Sequence, residues 1–171
     1  MTAEGPAGVV VRRATHADTP GLGRLGALLV EEHHAFDARR FIAAREGTSE
    51  GYGAFLDSQL DDPDVVILVA DDRGSVVGYA YGAVEGYDYV SLRGPAAVLH
   101  DLIVAPDRRS RGVGGRLLEA MLAALASRGA PRVVLSTAYR NEPAQRLFER
   151  MGFRRTMIEM TRELDDGGTP R

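Results

Sequence analysis

The sequence predicts a mixed α/β fold, in which a central mixed β-sheet carries helices on both of its faces. Runs of β-branched residues alternate with helical apolar stripes along the 171 residues. Two strand-like runs are joined by a tight turn at 71–74, and residues 98–128 have the pattern of a strand, a glycine-rich turn and an amphipathic helix. Strands that first meander and then alternate with helices are typical of this fold class.

The first half of the chain predicts a strand, two helices and a hairpin. Asp18 is a good helix cap, and Leu22, Leu25 and Leu29 follow it at helical spacing. The stretch 31–50 is polar and lacks periodicity, which predicts a solvated helix end and a loop. The predicted elements are a strand at 9–12, a helix from 18, a short helix at 52–60 and hairpin strands at 65–70 and 76–84.

The second half predicts alternating strands and helices. The β-branched run at 98–104 ends before Pro106, because proline has no N–H to extend a ladder. Asn141 is a helix cap and Gly152 the corresponding stop. The predicted elements are a strand at 98–104, a helix with apolar residues between 117 and 125, a strand at 133–136, a helix from 141 and one or two strands within 153–164.

The glycine-rich turn at 108–115 has the chemistry of an anion site. The first amides of the following helix have no intrahelical acceptor, and the helix dipole adds partial positive charge there. Glycine lets the backbone approach a bound phosphate closely. Arg108, Arg109, Arg111 and Arg116 add formal charge around the same turn. The spacing therefore predicts a phosphate-binding turn.

Other readings of this turn fit less well or stay open. A P-loop requires lysine, and all 21 basic residues of the chain are arginine. The dinucleotide fingerprint requires glycine where Leu117 stands. A plain tight turn with solvated arginines stays open on spacing alone.

The segment Val104-x-Pro106-x-x-Arg109-x-x-Gly112-x-Gly114 resembles the acetyl-CoA signature of the GNAT family, the Gcn5-related N-acetyltransferases. In that family the amides of this turn hold the coenzyme A pyrophosphate, and the preceding strand hydrogen-bonds the pantetheine arm. The resemblance implies acetyl-CoA as acyl donor and no metal ion. It assigns acetyl-CoA binding to Leu102, Ile103, Val104, Arg109, Ser110, Arg111, Gly112, Val113, Gly114, Gly115, Arg116, Asn141 and Phe148.

A second segment, Asn141-x-x-Ala144-x-x-x-Phe148-x-x-x-Gly152-Phe153, is similar to another motif of the same family. The order of predicted elements also resembles the GNAT fold. The resemblance covers nearly the whole chain. It predicts a single N-acetyltransferase-like domain at 9–164, with flexible tails at 1–8 and 165–171.

The resemblance implies transfer of an acetyl group to a primary amine of a small molecule or peptide, and such an amine must first lose a proton. In polyamine acetyltransferases of the family a glutamate matches His100, which makes His100 the first candidate base and Asp101 the second. Strand alternation predicts that these two point to opposite faces, so that one alone faces the site. The family's usual acid, a tyrosine, is Phe148 here. Either Tyr139, just after the fifth predicted strand, replaces it, or the thiolate leaves unassisted.

Composition excludes several classes of function. Without cysteine there is no disulfide, thiolate metal site or cysteine nucleophile, and without lysine there is no Schiff base. A net charge of −3 implies no general attraction to nucleic acid or anionic membranes. The N-terminus resembles no signal peptide and no apolar run is long enough to span a membrane, so a cytoplasmic location is expected. The sequence is compatible with a monomer or a homodimer.

Two other functions stay open. The phenylalanine at position 148 also suits a non-catalytic acyl-CoA-binding module of the same fold. A nucleotide-dependent enzyme would bind ATP or NAD at the glycine-rich turn instead.

For the acceptor of an acetyltransferase, acidic residues such as Glu32 and Glu85 are expected to attract a cationic amine.

Overall fold

A computed structural model describes residues 8–164, so that the tails predicted at 1–8 and 165–171 lie outside the described residues apart from Gly8. The elements are β1 (Val9–Arg13), α1 (Thr19–Phe36), α2 (Thr48–Gln59), β2 (Val65–Asp72), β3 (Ser75–Glu85), β4 (Ala96–Val104), α3 (Val113–Ala126), β5 (Val133–Leu135) and α4 (Glu142–Arg150). The strands form one sheet in the order β1-β2-β3-β4-β5. The first four are antiparallel neighbours, and β5 runs parallel to β4.

The sheet separates two apolar clusters. Leu22 and Leu25 of α1 and Leu56 of α2 are fully buried against one face. Leu117 of α3 and Phe148 of α4 are buried against the other. Burying a leucine side chain fully contributes about 1.5–3 kcal/mol. Helices therefore cover both faces of a mixed sheet, and the predicted fold class is confirmed. None of the described helices has the length and apolar character needed to cross a membrane.

β4 and β5 pair over a short distance and then separate. Residues 97–99 pair with 133–135, and β4 then continues to Val104. From His100 onward the β4 edge that faces away from β3 has no neighbouring strand within residues 8–164. Apart from the Val104 carbonyl, which accepts a hydrogen bond from Arg109, the backbone N–H and C=O groups of this edge have no strand partner there and can bind a ligand. The sheet is thus open beside the middle of the molecule.

A β-bulge in β4 decides which side chains reach the α1–α2 face of the sheet. Tyr81 of β3 pairs with Asp101, whereas the next β3 residue, Gly82, pairs with Leu99. His100 is therefore an extra residue without a partner on β3. Leu99 packs in the cluster beneath α3. The His100 ring instead stacks on Tyr81 of the opposite cluster, with ring centroids 4.9 Å apart.

The prediction that His100 and Asp101 point to opposite faces is therefore wrong. Asp101 accepts a hydrogen bond from Tyr52 of α2, and the His100 ring lies on Tyr81, so both side chains face the α1–α2 side. In a regular strand, consecutive side chains point to opposite faces of the sheet. One extra residue shifts this alternation by one position for the residues that follow it. The sequence around position 100 has no glycine or proline that would indicate this bulge.

The one or two strands predicted within 153–164 are also wrong, because no strand forms there. Arg155 Nη2 donates to Glu149 Oε1 of α4 at 3.0 Å. Arg40, after α1, is ion-paired with Glu159. These contacts hold the segment against α4 and the α1–α2 connection. β5 has three residues, so it offers few backbone groups with which a strand in this segment could pair.

Glycines allow α1 and α2 to pack closely. A methyl group at Gly23 would collide with the backbone carbonyl of Ser49, and one at Gly26 with the Tyr52 ring. These glycines lower the intrinsic helix propensity of α1, but their lack of a side chain lets α2 approach. α1 ends at Phe36, within the polar stretch that predicts a solvated helix end.

We predict that Gly23→Ala destabilises the protein by about 1–3 kcal/mol, the usual cost of overpacking a rigid contact. The helix propensity of alanine favours the substitution by about 1 kcal/mol, so a loss of stability reports the collision with Ser49. Gly51→Ala is the matched control, because a methyl group there meets nothing within 4 Å and α2 gains propensity. Urea unfolding followed by circular dichroism measures both, and equal stabilisation of the two variants would contradict the packing.

Candidate active site

A cleft of about 350 Å³ lies where β4 and β5 separate. Leu29 of α1 and Tyr52 of α2 line one side, and Ala144 and Phe148 of α4 line the other. Residues 99–102 of β4 form its floor. The cleft is therefore bordered by both helical layers and by the free edge of β4.

The N-terminus of α3 is an open anion site at the end of β4. Gly112 is the N-cap with φ of 77°, a left-handed conformation that suits glycine. The first intrahelical bond joins the Arg116 amide to the Gly112 carbonyl, so the amides of Val113, Gly114 and Gly115 have no intrahelical acceptor. No acidic side chain occupies this first turn. The free amides and the dipole fit the pyrophosphate of coenzyme A.

Arg109 connects this turn with α1. Its Nε donates to the Val104 carbonyl at 2.8 Å, and its Nη2 donates to Glu32. The side chain remains 41% exposed beside the anion site. Arg109 thus joins the end of β4, the turn and the wall of the cleft.

The neighbouring arginines contribute less charge to the anion site than the sequence suggests. Arg108 is ion-paired with Asp72 at 3.2 Å, and Arg116 donates to the Val9 carbonyl at 3.0 Å. Arg111 is exposed and has no partner within the described residues. Backbone amides are therefore the principal anion-binding groups of the turn.

The three β4 residues that the family resemblance assigns to acetyl-CoA binding differ in whether their side chain or only their backbone is accessible. The Leu102 side chain lines the cleft. Ile103 and Val104 are buried in opposite clusters, so only their backbone is available to a molecule at the strand edge. Ser110, in the turn itself, has φ of 59°, a left-handed conformation that is uncommon for serine.

Of the predicted residues at and before α4, Asn141 and Phe148 lie at the cleft, whereas Tyr139 does not. Asn141 lines it and caps α4 as predicted, since its Oδ1 accepts from the Ala144 amide at 3.3 Å. Phe148 also lines the cleft and packs edge-on against Phe153, with ring centroids 5.8 Å apart. Tyr139 is 91% exposed and lies outside the cleft.

His100 lines the cleft and is oriented by a carboxylate. Its Nε2 lies 2.9 Å from Glu85 Oε1, and Arg93 donates to the other oxygen of Glu85 at 2.7 Å. A carboxylate only accepts, so Nε2 carries a proton and Nδ1 holds the lone pair of the neutral ring. Stacking on Tyr81 fixes the plane of the imidazole. The arrangement provides a positioned proton acceptor.

Asp101 is a buried carboxylate that also lines the cleft. Its Oδ2 accepts from the hydroxyls of Tyr52 at 2.7 Å and Tyr79 at 2.9 Å. Oδ1 accepts no hydrogen bond from the described residues. Burial raises the pKa of Asp101, and the two tyrosine hydroxyls oppose this shift. Burial and the adjacent carboxylate also raise the pKa of both tyrosines, which keeps them protonated donors.

Sequence reasoning missed three residues of this site. Tyr52 and His33 lie in stretches without a strand or motif to align them with β4, so no sequence signal indicates them. Tyr79 shares a strand face with Tyr81, which predicts proximity to each other but not to Asp101. Glu85 was recognised only as acidic, not as the partner of His100. Residues 8–164 contain no cluster of three or more His, Asp or Glu side chains suited to a metal ion.

The chain matches the family model described as "Acetyltransferase (GNAT) family" over residues 23–153. It is 34% identical over 118 residues to an uncharacterized N-acetyltransferase of Bacillus subtilis, YhfO. That match covers 69% of this chain and 78% of the relative.

Solved structures share the fold. A tetramutant of the BH1408 protein from Bacillus halodurans superposes with a TM-score of 0.78 at 21% identity, covering 91% of this chain and 99% of that one. The aminoglycoside N-acetyltransferase AAC(6')-Iy in complex with CoA gives a TM-score of 0.72 at 18% identity, covering 96% and 99%. The two sequence motifs, the order of elements and the family match agree, and the chain belongs to the GNAT family of acetyltransferases.

Proposed function

We propose that the protein transfers an acetyl group from acetyl-CoA to a primary amine of a small molecule or peptide. The observation that carries this proposal is the continuous path along the free edge of β4. The anion site of α3 lies at one end of that edge, and the cleft with His100 and Asp101 lies beside its middle. The CoA complex of the structurally similar aminoglycoside acetyltransferase supports acetyl-CoA as donor.

When bound, acetyl-CoA supplies an activated thioester. In the transfer a bond forms between the amine nitrogen and the acetyl carbon, and the bond from that carbon to sulfur breaks. The amine loses one proton, and the sulfur gains one. The contribution of the protein is to bind both substrates along β4 and to accept the proton.

His100 is the proposed base. Glu85 orients the ring so that Nδ1 is available, and the bulge turns the ring toward the α1–α2 side where the cleft opens. Asp101 is the alternative base, because its Oδ1 is uncommitted and burial raises its pKa. Phe148 lacks a proton and Tyr139 lies outside the cleft, which favours a thiolate that leaves without a side-chain acid and is protonated by water.

The phenylalanine at 148 and the position of Tyr139 also favour a second candidate, an acyl-CoA-binding module without catalysis. A panel of amines with detection of released thiol separates the two functions. Coenzyme A, but not ATP or NAD, is expected to raise the melting temperature. Tight binding of acetyl-CoA without turnover of any amine would support the binding module, and protection by ATP or NAD alone would contradict both.

We predict that Gly114→Glu abolishes binding of coenzyme A, because a carboxylate then enters the anion site. Gly114→Ala is the matched control. A methyl group there meets Leu147 and Val104 at ordinary contact distances of 3.6 and 3.7 Å, so the fold is retained. Isothermal titration with coenzyme A measures both variants. Arg109→Ala is expected to weaken binding less, since the amides remain. Unchanged affinity in folded Gly114→Glu would place the pyrophosphate elsewhere.

We predict that kcat/KM rises with pH through an ionisation of the free enzyme in addition to that of the amine. His100→Ala should remove this rising limb of the pH profile and lower kcat/KM by roughly 10²–10⁴-fold, the usual contribution of a positioned base. Asp101→Asn should keep the limb. If His100→Ala is inert and folded Asp101→Asn loses the limb, the role passes to Asp101.

We predict that Phe148→Tyr is tolerated, because the ring edge borders the cleft and the added hydroxyl can be solvated there. A hydroxyl directed into the apolar cluster would instead be unpaired, at a cost of about 1–3 kcal/mol. Urea unfolding distinguishes these outcomes. A loss of that size, with unchanged affinity for coenzyme A, would exclude Phe148 from the donor site.

A further inference from the structure

Two of the four histidines of the chain line the cleft, on different walls. His100 belongs to β4, and His33 belongs to the last turns of α1. His34 is next to His33 in sequence but does not line the cleft. Its Nδ1 instead bonds the Phe41 carbonyl at 2.9 Å.

The protonation pattern of the neutral His33 ring follows from its contacts. Its Nδ1 lies 2.8 Å from the Leu29 carbonyl, which only accepts, so Nδ1 carries the proton and Nε2 holds the lone pair. The ring packs edge-on against Phe36 and Phe41, with centroids 6.0 and 5.0 Å away. Nε2 has no hydrogen-bond partner within residues 8–164. His33 is therefore a fixed hydrogen-bond acceptor on the wall of the cleft.

The cleft contains one uncommitted carboxylate. Among the described residues, Glu32 and Asp101 are the two carboxylates that line it. Glu32 is paired with Arg109, whereas Asp101 has only neutral tyrosine donors on Oδ2 and a free Oδ1. A buried carboxylate without a cation is costly, and a bound ammonium would relieve that cost. Burial raises the pKa of Asp101, and interactions with both cleft histidines oppose this shift, which is consistent with His33 lying near the carboxylate.

Apart from Glu32, which is paired with Arg109, the wall around His33 is apolar. Leu29 and Val30 of α1 and Phe41 and Ile42 of the following loop line this part of the cleft. One anionic group beside an apolar wall suits a single ammonium on a hydrocarbon body. A second ammonium would meet no free carboxylate there.

We propose that the acceptor is an apolar monoamine whose ammonium binds between Asp101 Oδ1 and His33 Nε2, with its hydrocarbon part against Leu29, Val30, Phe41 and Ile42. This inference rests on the proposed acetyl transfer and identifies the class of amine. It assigns to His33 a direct contact with the acceptor. His100 retains the role of base.

Hexylamine and 1,6-diaminohexane test the substrate class, because they share one carbon chain and differ by a single ammonium. We expect kcat/KM for hexylamine to exceed that for the diamine by about tenfold or more, since the distal ammonium loses hydration without a partner. Equal or faster acetylation of the diamine overturns the proposal, while the acetyltransferase activity stands.

His33→Asn tests the residue. The asparagine amide can still donate to the Leu29 carbonyl, but no acceptor replaces Nε2. We expect KM for hexylamine to rise about tenfold or more, with the Kd of acetyl-CoA unchanged. His34→Asn, which keeps the corresponding donor toward Phe41, is the matched control and should leave KM unchanged. An unchanged KM in His33→Asn, or loss of the kcat/KM pH limb in that variant, overturns the binding role.

A binding measurement separates failure of this inference from failure of the proposed function. Titration of hexylamine into ¹⁵N-histidine-labelled protein should shift the Nε2 resonance of His33, assigned with His33→Asn. A shift without acetylation of any amine supports the ammonium site and rejects the transfer. The absence of a shift overturns the ammonium site, whether or not other amines are acetylated.

Discussion

The extra residue in β4 is the constraint on which the site depends. Without it, Leu99 and Asp101 would face the same side of the sheet. The bulge lets Leu99 fill the cluster beneath α3 while Asp101 and His100 both face α1 and α2. It lies just beyond the point where β5 stops pairing with β4. One local irregularity thus brings two polar side chains to the opening in the sheet, as bulges next to functional sites often do.

Placing a carboxylate at that point has a cost that the surroundings offset only in part. The hydroxyls of Tyr52 and Tyr79 satisfy one oxygen of Asp101 but supply no positive charge. The same bonds join α2 to the sheet, so the group that makes the site polar also helps to position its wall. The uncompensated charge lies in the cleft at the place where we propose that the ammonium of the acceptor binds.

The parts of the molecule that depend on short sequence patterns were predictable. The free amides after Gly112, the cap at Asn141 and the strands flanking the hairpin turn follow from local spacing, and all are present. The bulge at His100 was not, because it depends on how β3 and β4 fit together. The segment after Phe153 has the composition of a strand but forms none, and Arg155 contacts α4 instead.

His33 illustrates a different limit. In the sequence it lies among Glu31, Glu32 and His34, a polar stretch that predicts a solvated helix end. No hydrophobic periodicity distinguishes it from these neighbours. The role that we propose for it rests on the i−4 carbonyl contact and on the two aromatic rings that fix its orientation. Such tertiary contacts leave no local pattern in a single sequence, whereas a glycine-rich turn does.

The position of α1 connects the two halves of the cleft. Glu32 reaches Arg109 at the anion site, and the next residue, His33, faces the cleft. Consecutive helical residues point about 100° apart around the helix axis. The same turn of α1 therefore contacts both Arg109 and the cleft, and a movement of that turn would change both contacts. Gly23 and Gly26 set the distance between α1 and α2, and the ring of Tyr52 rests against this contact. The packing of α1 against α2 therefore positions the proposed amine site relative to the buried carboxylate and to Arg109 at the anion site.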